Sequence, residues 1–564
     1  MTTSAPRDDR KPTPLYGDPA AEVEIPRLAR ALLEQLPAAG DLGGERAALI
    51  ACGQLEQAVL DAVGAPSALR ADACAATEHA AQAFYASWAK LNPGSPAFAG
   101  NPRAEAAALR AQLARIAESP AVRGLLKIPE GFAFYALFPE QYCAAALHYL
   151  EQRGRPAGSV HVLGLRSIGT TLSAVVSAVL RAAGVAHRRV TVRPHGHPFA
   201  RTVELGATFG KADAALIVDE GPGLSGSSFY AAARALEANG VPLERQALFC
   251  AHGAPPGARA SDEVRAFWQR AQRYAAADHE SAISADGSLR STLAAELERR
   301  FGCPLTALRD ISGGAWRAVA SARAAVWPAA YPAFERPKLL AQLSDGRRLL
   351  LKFYGQVLCP DSSPELVRWS DRAAEQRIAE DGTRVVRSHG YLVRPWIEGQ
   401  ILARADKSPA LLSRLAEFLA LRPWRRQRAA ENVADAYFGC SGRLAPENWI
   451  RLPNAALRKL PETLQGYDHT AIDVQPLGWD LAGAIVEWDL SEHEASGLLA
   501  EFAARSALRL ELRGVREHVQ RYALFHAERA AFCAEQASAE EAARLRAECA
   551  RYSARSEGAA AWST

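Results

Sequence analysis

At 564 residues the chain is too long for one hydrophobic core, so roughly three or four domains are expected. Its composition, 49% hydrophobic and 23% charged, is ordinary for globular protein, and no stretch is apolar and long enough to span a bilayer. A net charge of +4 gives no reason to expect nucleic acid as the main partner.

The polar, proline-rich opening MTTSAPRDDRKPTP lacks the apolar core of a secretory signal. Residues 1–20 are therefore expected to be a flexible tail, and the protein to be cytoplasmic. The nine cysteines are scattered singly, with no Cys-x-x-Cys pair. That favours buried thiols in a reducing compartment over a disulfide framework or metal site. Across residues 21–125, IPRLARALLEQL and AEAAALRAQLARIAES repeat apolar residues at helical spacing, predicting a helical domain. Pro93, Gly94, Pro96 and Gly100 mark a loop within it.

The pattern changes over residues 126–290. PEQYCAAALHYLEQRG predicts a helix ended by Gly154, SVHVLGL a buried strand, and TLSAVVSAVLRAAG a helix closed by Gly184. HRRVTVRP and ADAALIVDE predict further strands, SFYAAARALEANG a helix closed by Gly240, and QALFCAHG a fourth strand. Strands alternating with helices predict a Rossmann-like parallel sheet covered on both faces, with ligands beyond the carboxyl ends of its strands.

The loop after the third predicted strand is the richest in chemistry. IVDEGPGLSGSS, residues 217–228, delivers Asp219 and Glu220 and then Gly221, Gly223, Leu224, Ser225, Gly226, Ser227 and Ser228 at the start of a helix. Glycines let the backbone approach an anion, the helix N-terminus aims amides at it, and hydroxyls add donors. This segment resembles the phosphoribosyl pyrophosphate (PRPP) motif of type I phosphoribosyltransferases, with a spacer before Ser225-Gly226 one residue longer than usual. The resemblance implies that Asp219 and Glu220 hold the ribose hydroxyls and a magnesium ion, while residues 221–228 wrap the 5′-phosphate. LRSIGTT, residues 165–171, falls where the family binds pyrophosphate, with Arg166, Ser167 and Thr170 as donors and Gly169 at the turn. RPHGHPFAR, residues 193–201, falls where its mobile loop closes, with Arg193, His195, His197 and Arg201 stabilising the leaving group.

Residues 295–535 form a further expected domain, α+β in pattern. KLLAQLSDGRRLLLKFYG predicts two strands joined through Asp345-Gly346, followed by a helix with Glu375 and the strand GYLVRPWIEG. The region resembles, distantly, the aminoglycoside phosphotransferase and protein-kinase-like fold. Lys352 matches the ATP-phosphate lysine, Glu375 its ion-pair partner, and LVRPWIEG the adenine hinge. In SGRLAPEN, residues 441–448, Asn448 matches a magnesium ligand, but Arg443 stands where the catalytic aspartate belongs. Asp473 matches the second metal ligand and Asp480 a later structural aspartate, with Asp468 or His469 as substitute bases. An arginine cannot accept a proton from a hydroxyl, so ordinary kinase activity is not expected of this half. Residues 536–564 are expected to be a helical or flexible tail.

Together these features lead to the expectation of a phosphoribosyltransferase. It would use Mg-PRPP on an unidentified nitrogenous acceptor, fused to a kinase-like domain that binds ATP or another nucleotide. The alternatives are a non-catalytic PRPP or nucleotide sensor, or a phosphotransferase acting through the C-terminal half. Small molecules are the expected ligands, a membrane is not an expected partner, and the family resemblance implies a homodimer.

Overall fold

The computed structural model describes residues 20–156, 158–206, 212–276, 289–356, 386–422, 424–426, 432–440, 443–460 and 474–560. After the strand Ala20–Glu24, which pairs antiparallel with Arg123–Lys127, come four helices, Ile25–Glu34, Leu42–Ala62, Ala68–Leu91 and Pro102–Ala117. The side chains of Asp41, Ser67 and Asn101 cap three of them by accepting backbone N–H bonds. Their small residues permit close crossing: a Cβ on Gly53 would fall 1.9 Å from Thr171 Oγ1 on the helix Ile168–Ala182. Leu49, Leu55, Phe84 and Leu113 share one core with Leu172, Val176 and Val179 of that helix. The helical segment is thus packed onto the helix Ile168–Ala182, which itself covers one face of the sheet that follows.

That sheet is parallel, ordered His187–Val192, Val160–Leu165, Ala214–Val218, Gln246–Cys250, Gln272–Ala275. Its other face is covered by Phe229, Leu236, Phe267 and Trp268. Gly184 (φ 72°) and Gly240 (φ 86°) follow the helices they were expected to close. Chain order reverses between Val160–Leu165 and Ala214–Val218, the switch point where such sheets leave a crevice.

A second sheet is antiparallel, in the order Leu305–Asp310, Lys338–Leu343, Arg348–Phe353, Tyr391–Pro395, Val386–Ser388. Period-two alternation sends Leu349, Leu351, Phe353, Tyr391 and Val393 into a core with Leu293, Leu297 and Phe138. The opposite face carries Lys338, Leu350, Lys352 and Arg394. The helices Pro409–Ala420, Leu477–Glu487, Glu492–Ser506, Leu512–Ala534 and Ala539–Ala560 complete this half around Leu481, Trp488, Phe502 and Val519. The chain is therefore a multidomain α/β protein. Among the described residues no helix is long and apolar enough to cross a membrane.

Candidate functional sites

At the switch point, glycine sets how closely the elements meet. A Cβ on Gly169 would lie 2.5 Å from the Val218 carbonyl oxygen, and one on Gly164 2.4 Å from that of Gly169. Only glycine lets the N-terminus of the helix Ile168–Ala182 reach both strand ends. Ser167, just before it, holds φ at 129°, a conformation that side-chain-bearing residues rarely adopt. Ser167 Oγ and Thr170 Oγ1 are buried without a hydrogen-bond partner, so this turn holds two hydroxyls with unused donors.

Across the crevice, the backbone of the acidic pair is pinned. The Asp219 N–H donates to the Phe249 carbonyl (3.1 Å), and the buried Tyr142 hydroxyl donates to the Asp219 carbonyl (2.6 Å). The Glu220 carboxylate accepts the Gly131 N–H at 3.0 Å. Gly131 belongs to the one-turn helix Glu130–Ala133, which also faces the second half of the protein. There the Phe132 carbonyl accepts the Gln356 N–H (2.9 Å), and the Ala133 carbonyl accepts from the Arg336 guanidinium (3.0 Å).

The loop 221–228 begins with a cis Gly221–Pro222 bond, and Gly223 and Gly226 take φ of 55° and 64° before the helix Ser227–Ala238. Ser225 Oγ (3.1 Å) and Ser227 Oγ (2.8 Å) both donate to the Pro198 carbonyl. Pro198 tips the ribbon formed by His195–His197 and Ala200–Thr202, the segment expected to close over a ligand. Ser228 is half-buried, and Leu224 packs against a cluster containing Ala329 and Phe334 of the second half.

The cationic residues are placed less simply. His195 and His197 are exposed, and His197 Nδ1 accepts the Phe199 N–H at 3.2 Å. Arg201 donates to the Gly196 carbonyl at 2.7 Å, and burial together with the charge of Arg193 lowers its pKa. Arg166 and Arg193 both turn to Asp61 of the helix Leu42–Ala62. Burial alone would raise the Asp61 carboxyl, but Arg193, Gln57 and Arg166 hold it below its ordinary value. Sequence reasoning missed Asp61, because an acid at the end of an alanine-rich helix carries no local mark.

A cavity of about 270 Å³ lies beside the polar face of the antiparallel sheet. Lys352, Asn448 and Arg443, separate in sequence, line it together, with Trp316, Tyr331, Phe334 and Trp396 among its walls. Glu375, Asp468, His469 and Asp473 lie outside the described residues. Burial, then the charges of Lys338, Arg443 and Arg336, hold the Lys352 ammonium well below its ordinary pKa. Arg394 is lowered by burial to about 9, which leaves it charged at neutral pH. Glu447, also in the lining, is pushed up to about 7 by burial and then by Glu487. Arg443 adopts a left-handed φ of 41°, strained for a residue with a side chain. Between the first two strands, Arg317 forms a buried pair with Glu541 of the last helix at 2.7 Å. Glu541 also accepts the Ala330 N–H at 2.6 Å, so this connection is clamped to the C-terminal helices. Asp480 is buried against Arg422 at 3.3 Å, a structural role.

No protein-family model and no curated protein matches the chain. Among solved structures it is similar to the choline kinase LicA from Streptococcus pneumoniae, with 13% identity and a TM-score of 0.29 over 48% of this chain and 99% of that one. It is also similar to a macrolide 2′-phosphotransferase type I, with 14% identity and a TM-score of 0.28 over 46% of this chain and 96% of that one. A third is the macrolide 2′-phosphotransferase MphH from Brachybacterium faecium, with 13% identity and a TM-score of 0.28 over 45% and 96% of the two chains. At these TM-scores the likeness decides neither fold nor activity.

Proposed function

We propose that the parallel-sheet half binds Mg-PRPP and transfers its phosphoribosyl group to a nitrogenous acceptor, releasing pyrophosphate. The observation that carries this reading is the switch-point crevice, which has Asp219-Glu220 and the 221–228 loop on one strand end and unpartnered Ser167 and Thr170 hydroxyls beside the other. The C1′–O bond to pyrophosphate breaks, the C1′–N bond forms, and the proton of the acceptor nitrogen leaves on the departing pyrophosphate. Asp219 and Glu220 orient the ribose hydroxyls and favour positive charge at C1′. The glycine-rich loop and the helix Ser227–Ala238 take the 5′-phosphate, and residues 166–170 the pyrophosphate. Two acids beside orphaned hydroxyls suit a magnesium-bound pyrophosphate, and the ion, when present, offsets the leaving group's charge. For the phosphate to use the Ser225 and Ser227 hydroxyls, Pro198 must give them up, which supports reading the ribbon 195–202 as a loop that opens and closes over the ligand.

Pyrophosphate release from Mg-PRPP against purines, pyrimidines and small amines, beside a PRPP-binding titration, tests the reading. Release that disappears in Asp219→Asn supports a transferase. Binding without release with any acceptor would instead make the protein a sensor, and absence of PRPP binding refutes both.

A second reading, phosphotransfer by the C-terminal half, is favoured by Glu447, a carboxyl near neutral pKa in the same cavity as Lys352 and Asn448. ATP consumption lost in Glu447→Gln would support it, and none in the intact protein would end it.

A further inference from the structure

A second cavity, also of about 270 Å³, lies in the helical segment. It is bounded by the helices Leu42–Ala62, Ala68–Leu91 and Pro102–Ala117 and by the connection that precedes the first of them. The space is left because the facing positions are small. Ala48, Ala83 and Ala106 meet there without filling it, and Leu36 and Leu109 complete apolar walls. Apolar surface left open in this way forfeits the contacts that a packed core would make. The volume falls just under the roughly 300–1,000 Å³ of pockets for drug-sized ligands, so its occupant is small.

Into this apolar lining the sequence places one acid. Glu45 lines the cavity and is 5% exposed. Its Oε1 accepts the Gly40 N–H at 2.9 Å, and its Oε2 is buried without a hydrogen-bond partner. No cation forms an ion pair with it among the described residues. A carboxylate can accept about four hydrogen bonds, so most of the capacity of Glu45 is unused. Burial raises its pKa, as expected of an acid whose charge has no close counter-ion. An acid held in this way weakens the ligand-free fold unless a cation joins it. Arg110 also lines the cavity, but it is exposed, so solvent screens its charge from a ligand.

We propose that this cavity binds a small primary amine with a compact apolar body, its ammonium group held by the Glu45 carboxylate and its carbon body by the alanine and leucine walls. An ammonium brings three donors, which suits a carboxylate with one bond made, and a charge-assisted bond is stronger in an apolar surround than in water. The body gains by covering apolar wall that is otherwise left open. This amine is not the acceptor of the phosphoribosyl transfer proposed above. Glu45 and Asp61 lie near opposite ends of the helix Leu42–Ala62, about 24 Å apart, and it is Asp61 that meets Arg166 at the crevice. The amine site is a separate one, and it stands whether or not the crevice takes PRPP.

Calorimetric titration of the full chain with phenethylamine, beside its uncharged counterpart 2-phenylethanol, tests the proposal. The amine is expected to bind about tenfold or more tightly than the alcohol. Glu45→Gln keeps an oxygen for the Gly40 N–H and is expected to erase that preference. Ala106→Leu adds bulk to the wall from a half-buried position and leaves Glu45 in place. It is expected to abolish amine binding without lowering the melting temperature. Equal affinity for amine and alcohol, an amine preference that survives Glu45→Gln, amine binding untouched by Ala106→Leu, or no amine binding at millimolar concentration would each overturn the proposal. Should one variant fail to fold, the other decides alone. Pyrophosphate release at the crevice enters neither readout, so failure here is distinct from failure of the transferase reading.

Discussion

The Asp61 carboxylate lies 3.0 Å from the Arg166 guanidinium, tying the helical segment to the first loop of the parallel sheet. Arg193 joins the same carboxylate, and its Nη1 donates to the Arg166 carbonyl at 2.7 Å. Asp61 thus neutralises two cations that a pyrophosphate would otherwise attract. Asp61→Asn is expected to cost roughly 1–3 kcal/mol of stability, since it breaks a part-buried network. It is also expected to tighten pyrophosphate binding several-fold. Thermal unfolding and a pyrophosphate titration on the same variant check both, and weaker pyrophosphate binding would show that Asp61 positions the arginines for the ligand.

The ribbon over the crevice is held by two serine hydroxyls that share one carbonyl. Removing both, in Ser225→Ala with Ser227→Ala, is expected to make the tip around Pro198 more open to limited proteolysis. The same change is expected to weaken PRPP binding by about tenfold or more, through loss of two phosphate donors. Unchanged proteolysis would mean that the ribbon is fixed by its own strand pairing.

The Arg317–Glu541 pair is buried on both sides, with side-chain exposures of 7% and 9%. Glu541→Gln leaves a buried arginine uncompensated and is expected to cost roughly 3–5 kcal/mol. The loss should be read by chemical denaturation. A change well under 1 kcal/mol would mean that solvent reaches the pair and screens it.

His389 sets a pH dependence. Burial, then the charge of Arg46, lowers its pKa to about 4, so it is neutral in the folded protein and packed between Arg46 and Glu296. The unfolded chain takes up a proton near pH 6.5 and the folded one only near pH 4. The stability it contributes is therefore complete above about pH 6.5 and lost as pH falls toward 4, by up to roughly 3 kcal/mol. His389→Asn tolerates the left-handed backbone there, φ 46°, and is expected to flatten the acid limb of a stability-against-pH curve.

Much of the parallel sheet was legible in the sequence because runs such as SVHVLGL and ALIV are bounded by helices with closing glycines. The fifth strand, Gln272–Ala275, was not, since four residues beginning Gln-Arg carry no apolar run. The glycines and acids of 217–228 announced themselves by spacing. Asp61 and the Pro198 carbonyl did not, because their partners lie far along the chain and meet only through packing. The same holds for Arg394: within LVRPWIEG it looks like one more surface cation, and only strand register places it beside Lys352. Arg443 was visible as an oddity, but its cationic company was not.

The one-turn helix Glu130–Ala133 serves two masters: its Gly131 amide restrains Glu220, and its Ala133 carbonyl restrains Arg336 in the wall of the cationic cavity. If that turn shifts when either site fills, thermodynamic linkage makes the effect mutual: the factor by which an anion in the cavity changes PRPP affinity equals the factor by which PRPP changes the anion's. Four residues would then be the exchange rate between two chemistries on one chain.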